Sequence, residues 1–141
     1  MPESPGTSVR ISAATPLADL AAVVWPGVTT VYHPRTDSAA QVHALDQRIT
    51  HLERWRGIRP GTVRIIPLVE TPRGVCMAHD IAASSARIRA FGSGPNLSVG
   101  LGLEPDADSQ PADALLYARS ECELQARALG LQPVAIREVL D

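Results

Sequence analysis

"RIIPLVETPRGV", from Arg64 to Val75, is the stretch on which the fold turns. An apolar, β-branched run, continuous enough to be covered on both faces, ends on one carboxylate, Glu70. Thr71 and Pro72 then lead into a helix, with Pro72 near the first helical position, where a missing N–H costs nothing. A core strand that delivers an acid at its tip and passes into a helix is the unit from which parallel α/β sheets are built. Pro67 is the awkward residue, since proline cannot donate to the ladder, and it marks a bulge or an edge.

Working back from this unit, the same alternation recurs. "SVRISAA" (8–14) reads as a first strand, and "TPLADLAAVVW" as a helix with an apolar face on Leu17, Leu20, Val23 and Val24. "GVTTVYHP" is a second strand ended by Pro34. A long amphipathic helix then runs from about Ala39 to Arg56, with Val42, Leu45, Ile49, Leu52 and Trp55 on its apolar stripe. Asp37 or Ser38 caps it, and Gly57 stands where a C′ glycine belongs. Working forward, "PRGVCMAHDIAASS" is a third helix and "ARIRAFG" a fourth strand. A loop rich in glycine, proline and acids follows. A fourth helix runs from about Ala112 to Leu129, and "LQPVAIREVLD" is a fifth strand.

The expected architecture is one α/β domain over 1–141, with residues 1–8 as a disordered tail. About five parallel strands alternate with four helices. Five such strands either close with another chain or flatten into an open sheet, and the pattern alone leaves both open. The exposed edges of such a sheet call for a second copy or a partner chain to complete it.

Composition limits the chemistry. With 13 basic and 15 acidic residues the net charge is −2, and aromatic residues make up 4%. Neither nucleic acid nor an anionic membrane is an expected partner. All 13 basic residues are arginine. Schiff-base chemistry and a Walker-type phosphate loop, both of which need lysine, are excluded. Met1–Arg10 lacks the layout of a signal peptide and no apolar run has membrane-spanning length. Cys76 and Cys122 read as reduced core thiols, and the expected location is cytoplasmic.

Parallel strands present their carboxyl ends on one face, and ligands bind there. That face collects Ser12 and Ala13, His33 to Arg35, Glu70, Gly92 to Asn96, and Arg137 with Glu138. Glu70 is placed there to be solvated or to coordinate a cation.

These segments resemble the citrate lyase β-subunit / HpcH–HpaI aldolase family. "VYHPRTDSAAQV" is similar to its P-K strand end and helix start. "LVETPRGVCMAHDIAASSARIRAFG" is similar to its glutamate, I-A helix and F-G segment, and "LLYARSECELQARALGLQPVAI" to its Y-A-R-S helix and next strand. The resemblance implies a (β/α)8 barrel that makes or breaks carbon–carbon bonds in 2-oxo-acid or acyl-CoA substrates with Mg²⁺. Such a barrel needs about 200 residues or more, so this chain is expected to form a partial (β/α) barrel. By resemblance Glu70 is a metal ligand with a part in catalysis. Arg10 matches the arginine that contacts the substrate's carboxylate or carbonyl. Arg35 and Gly92 fall at substrate-binding positions, and Asn96 at the second metal position.

Several positions depart from the family pattern. Asn96 stands where the family has an aspartate, Arg35 where it has a lysine, Ser12 where it has an asparagine, and Arg137 where an aspartate is common. An amide oxygen can coordinate Mg²⁺ but brings no charge. Bland readings stand beside each assignment. Glu70 can be a strand-end acid, Arg10 an ion-pair partner, Asn96 a turn residue, and His33 a structural histidine. Arg73 and Arg119 suit an anionic CoA group or nearby acids equally. Glu104, Asp106, Asp108 and Asp113 read as a solvated loop, and Cys76 has no base beside it. Two functions follow: a divergent Mg²⁺-dependent lyase or aldolase, or a non-catalytic relative, either a partner subunit or a binding module, that keeps the fold without the metal chemistry.

Overall fold

The computed structural model describes residues 6–103 and 112–137. Strands β1 (Thr7–Arg10), β2 (Val28–His33), β3 (Arg64–Val69), β4 (Ala90–Ser93) and β5 (Gln132–Ala135) form one parallel sheet in the order β1-β2-β3-β4-β5. Helices α1 (Pro16–Val23), α2 (Ala39–Trp55), α3 (Pro72–Cys76), α4 (Ala78–Ala82), α5 (Leu97–Gly100) and α6 (Ala112–Ala128) lie in the connections. Each strand pairs with the one before it. Parallel crossovers are right-handed almost without exception, so connections that all advance one way put their helices on one face. This is the wall of a partial (β/α) barrel; a doubly wound sheet would reverse its order.

Side-chain alternation follows from that wall. Val31, Ile65, Val69 and Phe91 point into the helix layer and join a core with Leu20, Val42, Leu45, Ile49, Ile81, Ala118 and Cys122. On the opposite, inner face Thr30, Tyr32, Arg64 and Ile66 are only half-buried.

Pro67 sits in the middle strand, and the structure resolves its role as a bulge. Ile65 bridges Ile88, whereas Leu68 pairs with Gly92. One extra residue on the β4 side therefore slips past Pro67, where no ladder donor is available.

The capping expectation for α2 resolves to Ser38, which forms a capping box with Gln41. Gly57 has φ +67, the left-handed turn that releases the chain from the helix.

Several expectations need correction. Thr7 and Ser8 already belong to β1, inside the segment read as a tail; residues 1–5 lie outside those described. The third helix breaks at Met77 into α3 and α4, and the loop after β4 contains a further short helix, α5. Trp55 is 74% exposed and not part of the core stripe. The stripe of α2 ends instead on Glu53, fully buried, because its carboxylate has a buried cationic partner. Trp25 is also half exposed, with the Arg56 guanidinium 3.8 Å from its ring centroid. The acidic loop at Glu104, Asp106 and Asp108, and Glu138, lie outside the described residues. Among the described residues no helix is long and apolar enough to cross a membrane.

That cationic partner, Arg87, precedes β4 at the amino end of the sheet. Its guanidinium uses all five donors. Nε binds Asp46 Oδ1 at 2.7 Å, and Nη1 and Nη2 bind the two Glu53 oxygens at 3.1 and 2.7 Å. The remaining two go to the Val63 carbonyl and Thr50 Oγ1. Glu53 also accepts the N–H groups of Gly61 and Val63. Burial alone would push the Glu53 carboxyl up, but these hydrogen bonds and the Arg87 charge outweigh it and hold it below the ordinary range.

Candidate functional site

The opposite, carboxyl end of the sheet holds Glu70, the residue immediately after β3. Its side chain is 1% exposed, so it is not the solvated strand-end acid that the sequence alone suggests. Two loops close over it. The Arg35 N–H, in the loop from β2 to α2, donates to Glu70 Oε1 at 3.0 Å. The Asn96 N–H, in the loop from β4 to α5, donates to Oε2 at 2.7 Å. Glycines allow this approach. A Cβ on Gly94 would stand 2.7 Å from Glu70 Cγ and Cδ, and one on Gly100 would stand 1.7 Å from the Glu70 carbonyl oxygen.

The loops are also tied to each other and to β3. Thr71 Oγ1 accepts the Gly74 N–H at the start of α3 and donates to Asp37 Oδ1. Thr36 N–H reaches the Leu68 carbonyl, and Gly94 N–H reaches the Val69 carbonyl, both at 3.0 Å. Within this frame Arg35 has φ 50, and it is the one non-glycine with a left-handed backbone among the described residues.

Arg10 ends β1 and is exposed on the inner face. With Ser8, Tyr32, Leu68, Pro95 and Ile136 it lines a cavity of about 380 Å³. Pro95 precedes Asn96, so the Arg10 cavity abuts the loop that Glu70 holds. The Arg35 side chain lines a neighbouring cleft with Ala13, Ala14, Asp37 and Gln41. Arg10, Arg35, Glu70 and Asn96 thus share one rim, as parallel topology requires.

Gly92 does not share it as an open surface. It is buried in the ladder opposite Val134, where a Cβ would stand 1.6 Å from the Val134 carbonyl oxygen. Close strand packing accounts for this glycine. Ser12 is engaged in its own turn, its N–H on Asp19 and its Oγ on the Ala14 N–H.

His33 points to the helix side and is 2% exposed. Thr36 Oγ1 donates to the His33 carbonyl at 2.8 Å, so it accepts from His33 Nδ1 at 2.7 Å, which assigns the proton to Nδ1. Burial pulls its pKa down to about 4, against a smaller opposing pull from Asp37. This is a structural histidine. Cys122 is buried, its thiol pushed up to about 12 by burial and then by Glu121, whereas Cys76 is exposed rather than a core thiol.

A hard cation fits this rim only as a partial shell. Glu70 is a carboxylate whose oxygens each retain a lone pair beyond the N–H they accept. The Asn96 side chain makes no capping hydrogen bond to α5 and is exposed. Among the described residues no group of three or more His, Cys, Asp or Glu is placed to hold a metal. Magnesium is commonly held by one or two carboxylates with water and substrate completing its six ligands, so one carboxylate and one amide meet the minimum.

Sequence reasoning missed the Arg87–Glu53–Asp46 network, whose only signal was an arginine at the start of an apolar strand. It also missed Tyr32 and Leu68 as cavity walls, and Gly94 and Gly100 as packing partners of Glu70. The run of glycines after β4 was the visible trace of the last pair.

The parallel wall, with a carboxylate and two arginines at its carboxyl rim, defines a partial (β/α)-barrel protein. The chain belongs to the HpcH/HpaI aldolase/citrate lyase family, whose model matches residues 6–138. It is 34% identical over 116 residues to citrate lyase subunit beta of Haemophilus influenzae, covering 82% of this chain and 39% of that protein. Among solved structures it is similar to the citrate lyase beta subunit from Mycobacterium tuberculosis complexed with oxaloacetate and magnesium. That match has a TM-score of 0.64 and 32% identity, and covers 90% of this chain and 52% of the other. The M. tuberculosis protein CitE in complex with magnesium, acetoacetate and coenzyme A matches with a TM-score of 0.66 and 32% identity, over 90% of this chain and 44% of that one. The chain therefore spans about half or less of the length of these relatives.

Proposed function

We propose that this chain carries the substrate-carboxylate and cation side of a carbon–carbon lyase or aldolase site for a 2-oxo acid or acyl-CoA, with catalysis much weaker than a two-carboxylate site supports. The observation behind it is the shared rim of Arg10, Glu70 and Asn96. Glu70 and Asn96 would hold Mg²⁺. When bound, that ion supplies Lewis-acid polarisation of the substrate's oxygens. Arg10, at the cavity mouth, pairs with a substrate carboxylate and opposes negative charge as it develops. Leu68, Pro95 and Ile136 keep that cavity largely apolar, which strengthens the arginine's pull. Arg35 offers a second guanidinium for the anionic remainder of the substrate.

A second reading, a non-catalytic partner subunit, is favoured by two specific observations. Asn96 brings no charge, and both Glu70 oxygens are already hydrogen-bonded. Under either reading another chain or a second copy completes the wall. Leu116, Tyr117 and Leu124 of α6 are each more than 60% exposed, beside a cleft of about 680 Å³ between α6 and β5.

Magnesium titration followed by thermal unfolding tests the cation, with stabilisation of a few kcal/mol expected at saturation. Release of oxaloacetate, pyruvate or glyoxylate from acyl-CoA and oxo-acid substrates separates the lyase from the partner subunit. Sedimentation at micromolar concentration tests assembly, and a persistent monomer refutes the completed wall.

A further inference from the structure

We infer that Glu70 is a positioning residue in its own right: its carboxylate is the tie that holds the β2–α2 and β4–α5 loops over the rim, before any cation binds. The carboxylate is almost fully buried, and a buried charge needs compensation. Here the compensation comes from the main chain, one N–H per oxygen, from Arg35 and Asn96, which lie far apart in sequence. Neither donor belongs to the helix that follows Glu70. The carboxylate therefore bridges three consecutive strand–helix connections at a single point.

Two further features fit the tie and have no place in a simple ligand role. Arg35 holds a left-handed backbone, at φ 50, in a residue type that gains nothing from it locally. Its N–H is the group that Glu70 Oε1 captures, so the bond that holds the strained conformation also aims the Arg35 side chain at its cleft. Gly94 packs so closely on the Glu70 side chain that a methyl group there would stand 2.7 Å from its Cγ and Cδ. The rim is moulded on the glutamate. This role stands apart from the lyase reading and survives if no cation binds.

The experiment is done in EDTA, so that ligation contributes nothing. Backbone amide signals and native-state hydrogen exchange are recorded for the wild type and for Glu70→Gln, with Glu70→Asp as the conservative variant. In the wild type the Arg35 and Asn96 amide protons resonate downfield, as charge-assisted donors do, and exchange slowly. In Glu70→Gln both signals move upfield and lose about tenfold or more of their protection. Thr36, bonded to the Leu68 carbonyl, keeps its own shift. Glu70→Asp retains the charge but is one methylene short, and it fails to restore the two signals. A general loss of stability would move all three amides together.

The wild-type measurement stands even if the variants do not fold. Arg35 and Asn96 amides that exchange as freely as solvated loop amides overturn the tie. So does a Glu70→Gln protein whose two amides are unchanged. A missing magnesium shift in the wild type removes the cation reading alone and leaves the tie intact.

Discussion

Arg87 and Glu53 meet in a two-pronged ion pair, at 2.7 and 3.1 Å, at the amino end of the sheet, opposite the rim where Glu70 binds two loops. One acid is held by a guanidinium together with two main-chain N–H groups, the other by main-chain N–H groups alone. The difference separates the two ends of the molecule. The amino end commits an arginine side chain to an internal acid, and the carboxyl end satisfies its acid without one.

Removing Arg87 leaves Glu53 charged and unpaired in the core. Arg87→Ala is expected to lower unfolding stability by about 3–5 kcal/mol in urea denaturation. Glu53 and Asp46 both have carboxyls held below the ordinary range, with burial opposing and the bonds to Arg87 among the causes that prevail. Their contribution is full above the unfolded-state values, near 4, and is lost as pH falls through the lower folded values. The acid limb of the stability curve should therefore flatten in Arg87→Ala.

His33 gives a signature of the same sign at milder pH, from an imidazole kept neutral by burial. Its folded pKa is about 4 against an ordinary 6.5. Between those values the unfolded chain binds a proton that the folded protein refuses. Stability is expected to fall as pH drops from 6.5 toward 4, by up to about 1.4 kcal/mol per pH unit, and then to level off. His33→Gln should remove that slope. An unchanged slope in chemical denaturation across this window contradicts the buried neutral imidazole.

Gly94→Ala forces a methyl group to 2.7 Å from the Glu70 side chain. A loss of about 1–3 kcal/mol is expected from the overlap. Because Glu70 must move, magnesium binding should weaken as well. A variant that unfolds at the wild-type denaturant concentration would show that the loop yields freely.

Asn96→Asp adds a second carboxylate beside Glu70. Magnesium affinity should rise by about tenfold or more, since an added charge near a divalent ion outweighs its own partial desolvation. Without magnesium the same change is expected to be destabilising, as two carboxylates share one rim. Calorimetric titration of both proteins measures the first effect, and thermal unfolding in EDTA the second.

Arg10→Lys keeps the charge at the cavity mouth but removes the planar fork. Oxaloacetate binding should fall by about tenfold, a loss of one good charged hydrogen bond. Equal affinity in the two proteins would move carboxylate recognition to Arg35.

The elements themselves were legible in the chain. The apolar run from Arg64 to Val69, the Ser38–Gln41 cap and the terminating Gly57 act through neighbours within a few residues, so their signals survive in a linear sequence. The strand-end positions of Arg35, Glu70 and Asn96 were legible too, because parallel strands must deliver their ends to one face. Burial was not legible. Trp55 falls on the apolar spacing yet lies outside, and Glu53 is charged yet lies inside, because Arg87, far along the chain, fixes which face the last turn of α2 presents. The state of Glu70 was equally hidden. A carboxylate at a strand tip is open to water unless other loops close on it, and here the closing groups are the N–H donors of Arg35 and Asn96. Local patterning determined the strands, the helices and the end of the sheet at which to look. Tertiary structure alone decided which charges are buried and what satisfies them, since those partners lie far apart in sequence and meet only when the chain is folded.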